Sequence, residues 1–296
     1  MSDTLASLRR KIDSAQELQA VVRAMKAMAG ANLAQYERSV EALASYHRTV
    51  ELGLAACLRG AQPGPIQAGP SDSKQPANAQ VVVFGSDQGL VGSFNDSAAA
   101  FALQSLQNRP GNVAAWAVGV RVQERLIDAG WNVVGTLAVP NSVEGITDLV
   151  GRILMETEVH ARHFPASELY LVHQRPLPGS QYEPKSQRLL PLDDRWAQEF
   201  AQLPWPTPLP PEVLGQRSDV LPALIREHLF VSLYRACAES LASENASRLA
   251  VMERADRNID DLLEDWNNRF HQTRQGAIDE ELFDVLSGFE ALKHPR

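Results

Sequence analysis

A glycine-rich segment is the part of the chain whose residue types come closest to a phosphate-binding loop. Residues 85–93 read Gly-Ser-Asp-Gln-Gly-Leu-Val-Gly-Ser and follow an apolar run at 80–84. A glycine turn between a strand and a helix can bind phosphate through its free backbone amides. However, Gly85, Gly89 and Gly92 do not have the spacing of a dinucleotide fingerprint, and no Lys-Ser or Lys-Thr pair follows them. The spacing therefore favours a tight structural turn over a nucleotide site.

The residues that could perform nucleophilic or metal chemistry are scattered along the chain. Two cysteines, Cys57 and Cys237, stand far apart, and the seven histidines form no Cys/His cluster. No nucleophile elbow, His-Glu-x-x-His pair or close Ser/His/Asp arrangement occurs. We therefore expect two reduced structural thiols, no catalytic residues, no metal site and no cofactor.

The composition excludes several classes of protein. The 296 residues are 44% hydrophobic and 22% charged, with a net charge of −8, which is typical of a folded protein. The negative net charge argues against binding to nucleic acid. No apolar run approaches the roughly 20 residues of a membrane helix. The N-terminus also lacks the apolar stretch of a signal peptide, so we expect a cytoplasmic protein.

Proline and glycine divide the chain into segments that must position these residues. Residues 1–59 contain no proline, and none occurs between Pro222 and Pro295. Charge differs as well, because residues 1–59 carry a net +2 and residues 219–296 a net −6. The pattern predicts an N-terminal helix over 1–59, a linker over 60–78, an α/β domain over 79–202, a Pro-rich linker over 203–218 and a C-terminal helix over 219–291.

Both terminal segments carry apolar residues at alternating spacings of three and four, which is typical of a coiled coil. In the first segment these positions are Ala29, Leu33, Tyr36, Val40, Leu43, His47, Val50, Leu54 and Cys57. In the last they are Val231, Tyr234, Ala238, Leu241, Asn245, Arg248, Met252, Ala255, Ile259, Leu262 and Trp266. Helices of about 80 and 100 Å are too long for a compact domain, so we expect an antiparallel shaft.

Polar residues interrupt these stripes. Asn245 and Arg248 are interpreted as residues that control the register of the coiled coil, although Arg248 could instead reach outward to another protein. His47 is expected to be an ordinary packed histidine.

The middle segment alternates strand and helix patterns. Strands are predicted at 80–84, 113–118, 131–139, 168–173 and 187–192, and helices at 94–107, 121–129 and 145–164. We expect a Rossmann-like open sheet covered by helices. The fold class is thus α/β plus a long antiparallel coiled coil.

Three groups of residues resemble the gamma subunit of F-type ATP synthases. The C-terminal segment reads Ser-Glu-Asn-Ala-Ser-Arg-Leu-Ala-Val-Met at 243–252, followed by Ala255, Asn258, Arg274, Gln275, Ile278, Glu281 and Gly288. The N-terminal segments 8–12 and 23–28 are similar to that subunit's first helix, and 86–95 to its strand–turn motif. Together they cover nearly the whole chain in the family's order.

The resemblance implies a rotor without bond chemistry of its own. It implies a central stalk whose coiled coil enters a hexamer of alpha and beta subunits (3:3:1) and whose α/β domain lies against epsilon and the c-subunit ring. Rotation driven by ions would then be coupled to ATP synthesis or hydrolysis at the beta subunits. The implied location is the cytoplasmic face of the bacterial inner membrane, as a peripheral protein.

The resemblance also implies contact residues for the catch loops of the beta subunits. Arg248 and Gln275 fall on such positions, with Arg274 beside them and Met25 facing this region. The chain departs from the family at Val91, Ser93 and Asp279, and it lacks basic residues at 32–35. These departures would suit a second, alternative F-type ATPase, including one that moves sodium.

Two other functions remain open from the residues alone. One is a nucleotide-dependent α/β enzyme with helical arms, and the other is a generic coiled-coil adaptor. Tight nucleotide binding would favour the first, and the absence of copurifying alpha and beta subunits would favour the second.

Overall fold

The computed structural model describes residues 4–59, 78–109, 111–163, 166–178, 181–192, 194–209 and 216–293. The predicted linker over 60–78 lies outside these residues except for Asn78. The elements are α1 (Leu5–Leu58), β1 (Asn78–Phe84), α2 (Phe94–Leu106), β2 (Val113–Val118), α3 (Val120–Asp128), β3 (Asn132–Leu137), α4 (Glu144–His163), β4 (Ala166–Leu177), β5 (Gln181–Leu190), α5 (Asp194–Ala201) and α6 (Arg217–Lys293).

The five strands form one mixed sheet in the order β3-β2-β1-β4-β5. Parallel pairing joins β1 to β2 and β4, and β2 to β3, whereas β5 pairs antiparallel with β4. The predicted open sheet between long terminal helices is confirmed. Three details differ from the prediction: β4 continues to Leu177 rather than ending at 173, β5 begins at Gln181 rather than at 187, and the short helix α5 was not predicted.

Alternate residues of the central strand serve two separate cores, because successive strand residues point to opposite faces. Val81 and Val83 pack with α2 and α3 on one face. Val82 and Phe84 pack with α4 and the part of α6 from Leu233 to Ala242 on the other. The sheet is therefore covered on both faces, and α6 supplies much of one cover.

The described contacts divide the chain into two compact units. The larger unit comprises residues 29–248 and contains the sheet, and the smaller comprises residues 1–28 and 249–296. The domain boundaries expected near residues 59, 79, 202 and 219 stay a proposal.

In the larger unit, α1 and α6 pack antiparallel. Tyr46 donates a hydrogen bond from its hydroxyl to Glu227 over 2.7 Å, and the Ser39 hydroxyl lies 3.4 Å from that of Tyr234. Residue numbers rise on one helix as they fall on the other, which defines the antiparallel direction. Nearer the end of α1, Val50, Leu54 and Leu58 form a small core with residues of α5 and α6.

The smaller unit repeats the antiparallel arrangement. Arg23 pairs with Asp256 over 3.0 Å, and Gln19 donates to Asp260 over 2.5 Å. Apolar residues of both helices pack beside these contacts: Ala15, Val22, Met25, Val251, Met252, Ala255, Ile259, Leu263 and Trp266.

The apolar stripe predicted for α6 is wrong at one position. Leu262 is 45% exposed, whereas its neighbour Leu263 packs in the cluster of the smaller unit. The buried stripe therefore runs from Ile259 to Leu263 to Trp266, with spacings of four and then three residues. The prediction placed Leu262 between the same two end residues, with spacings of three and then four. The local choice between the two follows the 3.6-residue period of the helix, which drifts against a strict heptad.

These adjacent leucines provide a matched pair of substitutions. We expect Leu263→Ala to lower the free energy of unfolding by about 1–2 kcal/mol, because it removes a half-buried side chain from a packed cluster. Leu262→Ala should change it by less than about 0.5 kcal/mol. Urea denaturation followed by circular dichroism measures both, and equal losses would contradict the observed packing.

Candidate functional site

The glycine-rich segment after β1 is a cross-braced turn. The backbone amide of Ser86 donates to Asn95 Oδ1 over 3.0 Å, and Asn95 Nδ2 donates to the Ser86 hydroxyl over 2.9 Å. The carboxylate of Asp87 accepts from the amides of Val120 (2.9 Å) and Val139 (2.8 Å). Asp87 thus occupies the first amide of α3, where a phosphate would bind. The predicted structural turn is confirmed.

Close backbone approach explains two glycines around this turn. A Cβ on Gly85 would lie 2.3 Å from Cβ of Val122, and one on Gly119 would lie 2.7 Å from the carbonyl oxygen of Ser86. Gly119 also has a φ of +112°, which side chains rarely adopt. The turn, α3 and β2 are therefore packed too tightly at this point for larger residues.

Hydroxyl groups on α6 attach that helix to the sheet and to the turn. Ser243 donates to the carbonyl of Gln174 in β4 over 3.1 Å, and Ser247 donates to the carbonyl of Val91 over 2.6 Å. Ala246, between them, is buried. The small residues of the 243–252 motif therefore have a docking role that sequence reasoning did not assign to them.

A buried acid–imidazole pair strengthens the same attachment. His173 of β4 lies 2.8 Å from Glu239 Oε2, and both side chains are at most 4% exposed. Arg235 donates to the other carboxylate oxygen over 2.7 Å. Burial by itself would raise the pKa of Glu239, but hydrogen bonds from His173 and Arg235 and their charges outweigh it and lower that pKa to about 2. Glu239 is therefore an ionised, fully paired link between helix and sheet.

Arg248, a predicted contact residue, lies in a second buried ion pair. Its Nη2 donates to Glu244 over 2.6 Å, and the two side chains are 11% and 7% exposed. Burial raises the pKa of Glu244, and Arg248 opposes this rise in part. Asn245 donates to Leu241 of its own helix over 2.8 Å rather than across the two helices. In this structure Arg248 therefore points to its own helix, while its Nε lacks a partner among the described residues.

The other three predicted contact residues belong to the smaller unit. Met25 packs half-buried beside Met252, whereas Arg274 and Gln275 are exposed and follow Trp266, the last apolar residue of that cluster. Within this unit Met25 therefore does not lie next to Arg274 or Gln275. Contact of these three residues and Arg248 with a catch loop stays a prediction.

Large apolar side chains are exposed near the end of α6. Ile278, Leu282, Phe283, Val285 and Leu286 are between 51% and 70% exposed. On α1, Leu18, Val21 and Met28 are 56% to 66% exposed. Clusters of exposed apolar side chains are typical of interaction surfaces.

The described residues hold neither a metal-binding cluster nor a membrane-spanning helix. No group of three or more His, Cys, Asp or Glu side chains is placed to hold a metal ion there. No helix in the same part of the chain is long and apolar enough to cross a membrane. Cys57 and Cys237 are both buried and are not joined in a disulfide, as expected of structural thiols.

Comparison with known proteins identifies the family. The family model described as ATP synthase matches residues 4–292. The chain belongs to this family. Curated relatives named ATP synthase gamma chain include that of Thermobifida fusca (strain YX), 27% identical over 99% of this chain and 97% of its own length. The gamma chain of Sulfurihydrogenibium sp. (strain YO3AOP1) is 25% identical, with 97% of each chain covered.

Solved structures of ATP synthases share the fold. A chain in the Euglena gracilis mitochondrial ATP synthase (OSCP/F1/c-ring, rotational state 3) has a TM-score of 0.61 at 15% identity, over 97% of this chain and 94% of that one. A chain from the Tetrahymena thermophila mitochondrial central stalk and c-ring has a TM-score of 0.57 at 17% identity, over 79% and 99%. The predicted membership of this chain in the gamma-subunit family of ATP synthases is therefore confirmed. Its fold is that of the gamma subunit in the central stalk.

The Glu239 link predicts how the stability of this ATP synthase family member depends on pH. The carboxylate is stabilised in the folded state, so its contribution is present above the ordinary pKa of 4.5 and is lost as the pH falls toward about 2. Glu239→Gln should lower the free energy of unfolding by about 3 kcal/mol at neutral pH. The difference from the wild type should shrink below pH 4.5, as measured by urea denaturation at a series of pH values.

The exposed pair of Glu158 with Arg162, which are 67% and 71% exposed, supplies the control. Glu158→Gln should cost less than about 1 kcal/mol, because water screens a surface pair. A loss for Glu239→Gln as small as this, or one that grows in acid, would contradict the assignment.

The Arg248–Glu244 pair predicts a double-mutant result. Arg248→Gln leaves Glu244 buried without its counter-ion and should cost about 3 kcal/mol. Adding Glu244→Gln should recover a large part of this loss, because the remaining buried groups are then neutral. Equal stability of the single and double variants in urea denaturation would show that the two side chains are not coupled.

Proposed function

We propose that this chain is the central-stalk gamma subunit of an F-type ATP synthase and works as the rotor that couples ion flow to ATP synthesis or hydrolysis. Family membership over residues 4–292 supports the assignment. The chain's relatives are gamma chains matched over nearly their whole length. In such a complex the rotor transmits conformational change between sites and performs no covalent step.

The observation that carries the proposal is the exposed apolar surface of the smaller unit. A stripe of large apolar side chains on α6 between Ile278 and Leu286 has no cover from described residues of its own chain. Leu18, Val21 and Met28 present a similar stripe on α1, at helical spacings of three and seven. A hexamer of alpha and beta subunits around this pair of helices would bury both stripes.

The role of the chain in catalysis is indirect under this proposal. Asp87 accepts from the first amide of α3, so the N-terminus of that helix is already occupied by a carboxylate of the chain. ATP chemistry then belongs to the beta subunits, and this chain is a non-catalytic subunit of the ATPase complex. Its asymmetry would place the three beta sites in different conformations.

The proposed partners are alpha and beta subunits at 3:3:1, an epsilon subunit and the c-subunit ring. The proposed location is the cytoplasmic face of the bacterial inner membrane, reached through the complex. Chains of the same fold occur in structures that contain F1, OSCP and a c-ring. Such membership supports peripheral association with the membrane.

The catch-loop contacts remain part of the proposal. Gln275 and Arg274 are exposed on α6 and free to meet a surrounding subunit. To contact that subunit, Arg248 would either leave Glu244 and pair with a carboxylate of the subunit, or stay paired with Glu244 and contact the subunit with the exposed part of its side chain. Met25 would contribute by packing and not by polar contact.

Gln275→Leu tests the polar contact. We expect ATPase activity of the assembled complex to fall several-fold, because a hydrogen-bonding amide is replaced by an apolar group of similar size. Asn268→Leu, on another exposed position of α6, is the matched control and should leave activity near wild type. Equal activities of the two variants in the reconstituted complex would count against the Gln275 contact.

Charge on the exposed apolar stripe tests the proposed function itself. Phe283→Glu should reduce copurification of alpha and beta subunits with the tagged full-length chain, because burial of the carboxylate against the surrounding subunits is unfavourable. Asn268→Glu places the same charge on a polar position and should copurify them normally. Failure of the wild-type chain to bring down alpha and beta would contradict the rotor assignment.

A further inference from the structure

A polar cavity of about 330 Å³ lies inside the larger unit, apart from every residue in the proposed rotor contacts. Residues of four elements line it: His47 and Glu51 from α1, His173 from β4, Lys185 from β5, and Ser232 and Arg235 from α6. Its volume is at the low end of the range for small-molecule sites. A wall of charged and hydroxyl groups suits a small hydrophilic ligand better than an apolar one.

Both carboxylates in the wall already have cationic or imidazole partners. Glu239 accepts from Arg235 Nε over 2.7 Å and lies 2.8 Å from His173 Nε2. Glu51 lies 3.6 Å from His47 Nδ1 and 3.6 Å from Arg48 Nη1. Neither carboxylate is therefore a vacant ligand for a cation.

Hydrogen-bonding groups without partners remain in the same wall. Ser232 Oγ and His173 Nδ1 are buried, and neither has a hydrogen-bond partner among the described residues. The two side chains are 4% and 2% exposed. A buried polar group without a partner carries an unfavourable free energy that a bound ligand would remove.

The cavity wall also contains cationic groups with hydrogen-bond donors that its two carboxylates do not use. The Lys185 ammonium makes no ion pair with a described residue, and Arg235 uses only its Nε toward Glu239. Lys185 and Arg235 also act together on His47, whose pKa is lowered by burial and by these two cations, against the opposing effect of Glu51 and Glu239. The groups available to a ligand are thus an ammonium, the two terminal amino groups of a guanidinium, a hydroxyl and an imidazole nitrogen.

We propose that this cavity binds a small oxyanion of the phosphate class, held by Lys185, Arg235 and Ser232. Charge-assisted hydrogen bonds from lysine and arginine are the usual means of binding phosphate oxygens. The Ser232 hydroxyl donates to a third oxygen. The ligand would bridge α6 to β5 beside the Glu239 link, so its binding would stiffen the attachment of α6 to the sheet.

Isothermal titration calorimetry of the full-length chain with inorganic phosphate, against sodium chloride at equal ionic strength, tests the site. We expect saturable binding of one phosphate per chain and none of chloride. Lys185→Gln should weaken binding at least tenfold, because it removes the cation without a partner. Ser232→Ala should weaken it about three- to tenfold through loss of one hydrogen bond.

Arg162→Gln, which changes an exposed arginine of α4, is the matched control and should bind phosphate as the wild type does. Circular dichroism establishes that each variant is folded. Competition between phosphate and ATP then distinguishes free phosphate from the phosphates of a nucleotide as the source of the ligand.

Non-saturable heat, or equal affinity of wild type and Lys185→Gln for phosphate, would overturn the proposal. These outcomes are separate from the rotor assignment, since copurification with alpha and beta subunits does not depend on this cavity. If the chain binds phosphate but does not copurify with alpha and beta subunits, the phosphate site is supported and the rotor assignment is contradicted.

Discussion

The attachment of α6 to the sheet is the interaction on which the rest of the larger unit depends. Between residues 231 and 247 the helix is buried on nearly all sides, and only Tyr234 and Arg235 are half-exposed. A helix surrounded in this way is ordinarily apolar throughout. This one carries Glu239, Ser243, Glu244 and several other polar residues, so every turn must satisfy polar groups as well as fill space.

Contacts to different elements satisfy three of these side chains, whereas the hydroxyls of Ser232 and Ser240 have no partner among the described residues. Glu239 reaches β4 through His173, Ser243 reaches the β4 backbone, and Ser247 reaches the turn after β1. The turn is fixed in its own right, because Asp87 holds the amides of Val120 and Val139. A helix attached in this way transmits a force to the sheet without sliding along it, which is what a rotor subunit needs.

The buried polar contacts of α6 fix the position of the helix on the sheet more than they add to the net free energy of folding. Buried ion pairs lose solvation that their mutual attraction only partly restores. Replacement by apolar residues could pack equally well, but it would leave the helix free to shift by one turn along an apolar face. The serine and carboxylate contacts accept only one position of α6, since a shifted helix would leave buried polar groups without partners.

The sequence predicted the elements well where periodicity carries the signal. Strands such as Val113–Val118 have the apolar character of buried strands, and the long helices have few breakers. The first half of β5 was missed because Gln181 to Ser186 is polar, and α5 because a helix of eight residues has little periodicity. The pairing of His173 with Glu239 could not be predicted, since the two residues are 66 positions apart.

The predicted site was harder to derive than the fold. The motif at 243–252 was recognised as a signature, but its serines are docking residues whose partners lie on β4 and in the turn. The sequence left two roles open for Arg248, control of the register or an outward contact, and in this chain it pairs with Glu244 one turn earlier. Periodicity gives the face on which a residue lies, but the choice between two partners for a long side chain depends on burial and local charge.

Single-molecule observation of rotation is the sharpest test of whether this chain turns as a rotor. Both native cysteines are buried, so Asp128→Cys, at a side chain 73% exposed on α3, would carry a fluorescent or bead probe at one position. In a complex with immobilised alpha and beta subunits and ATP, we expect continuous rotation of the probe in one direction, coupled to hydrolysis. ATP hydrolysis by the assembled complex with a stationary probe would contradict it.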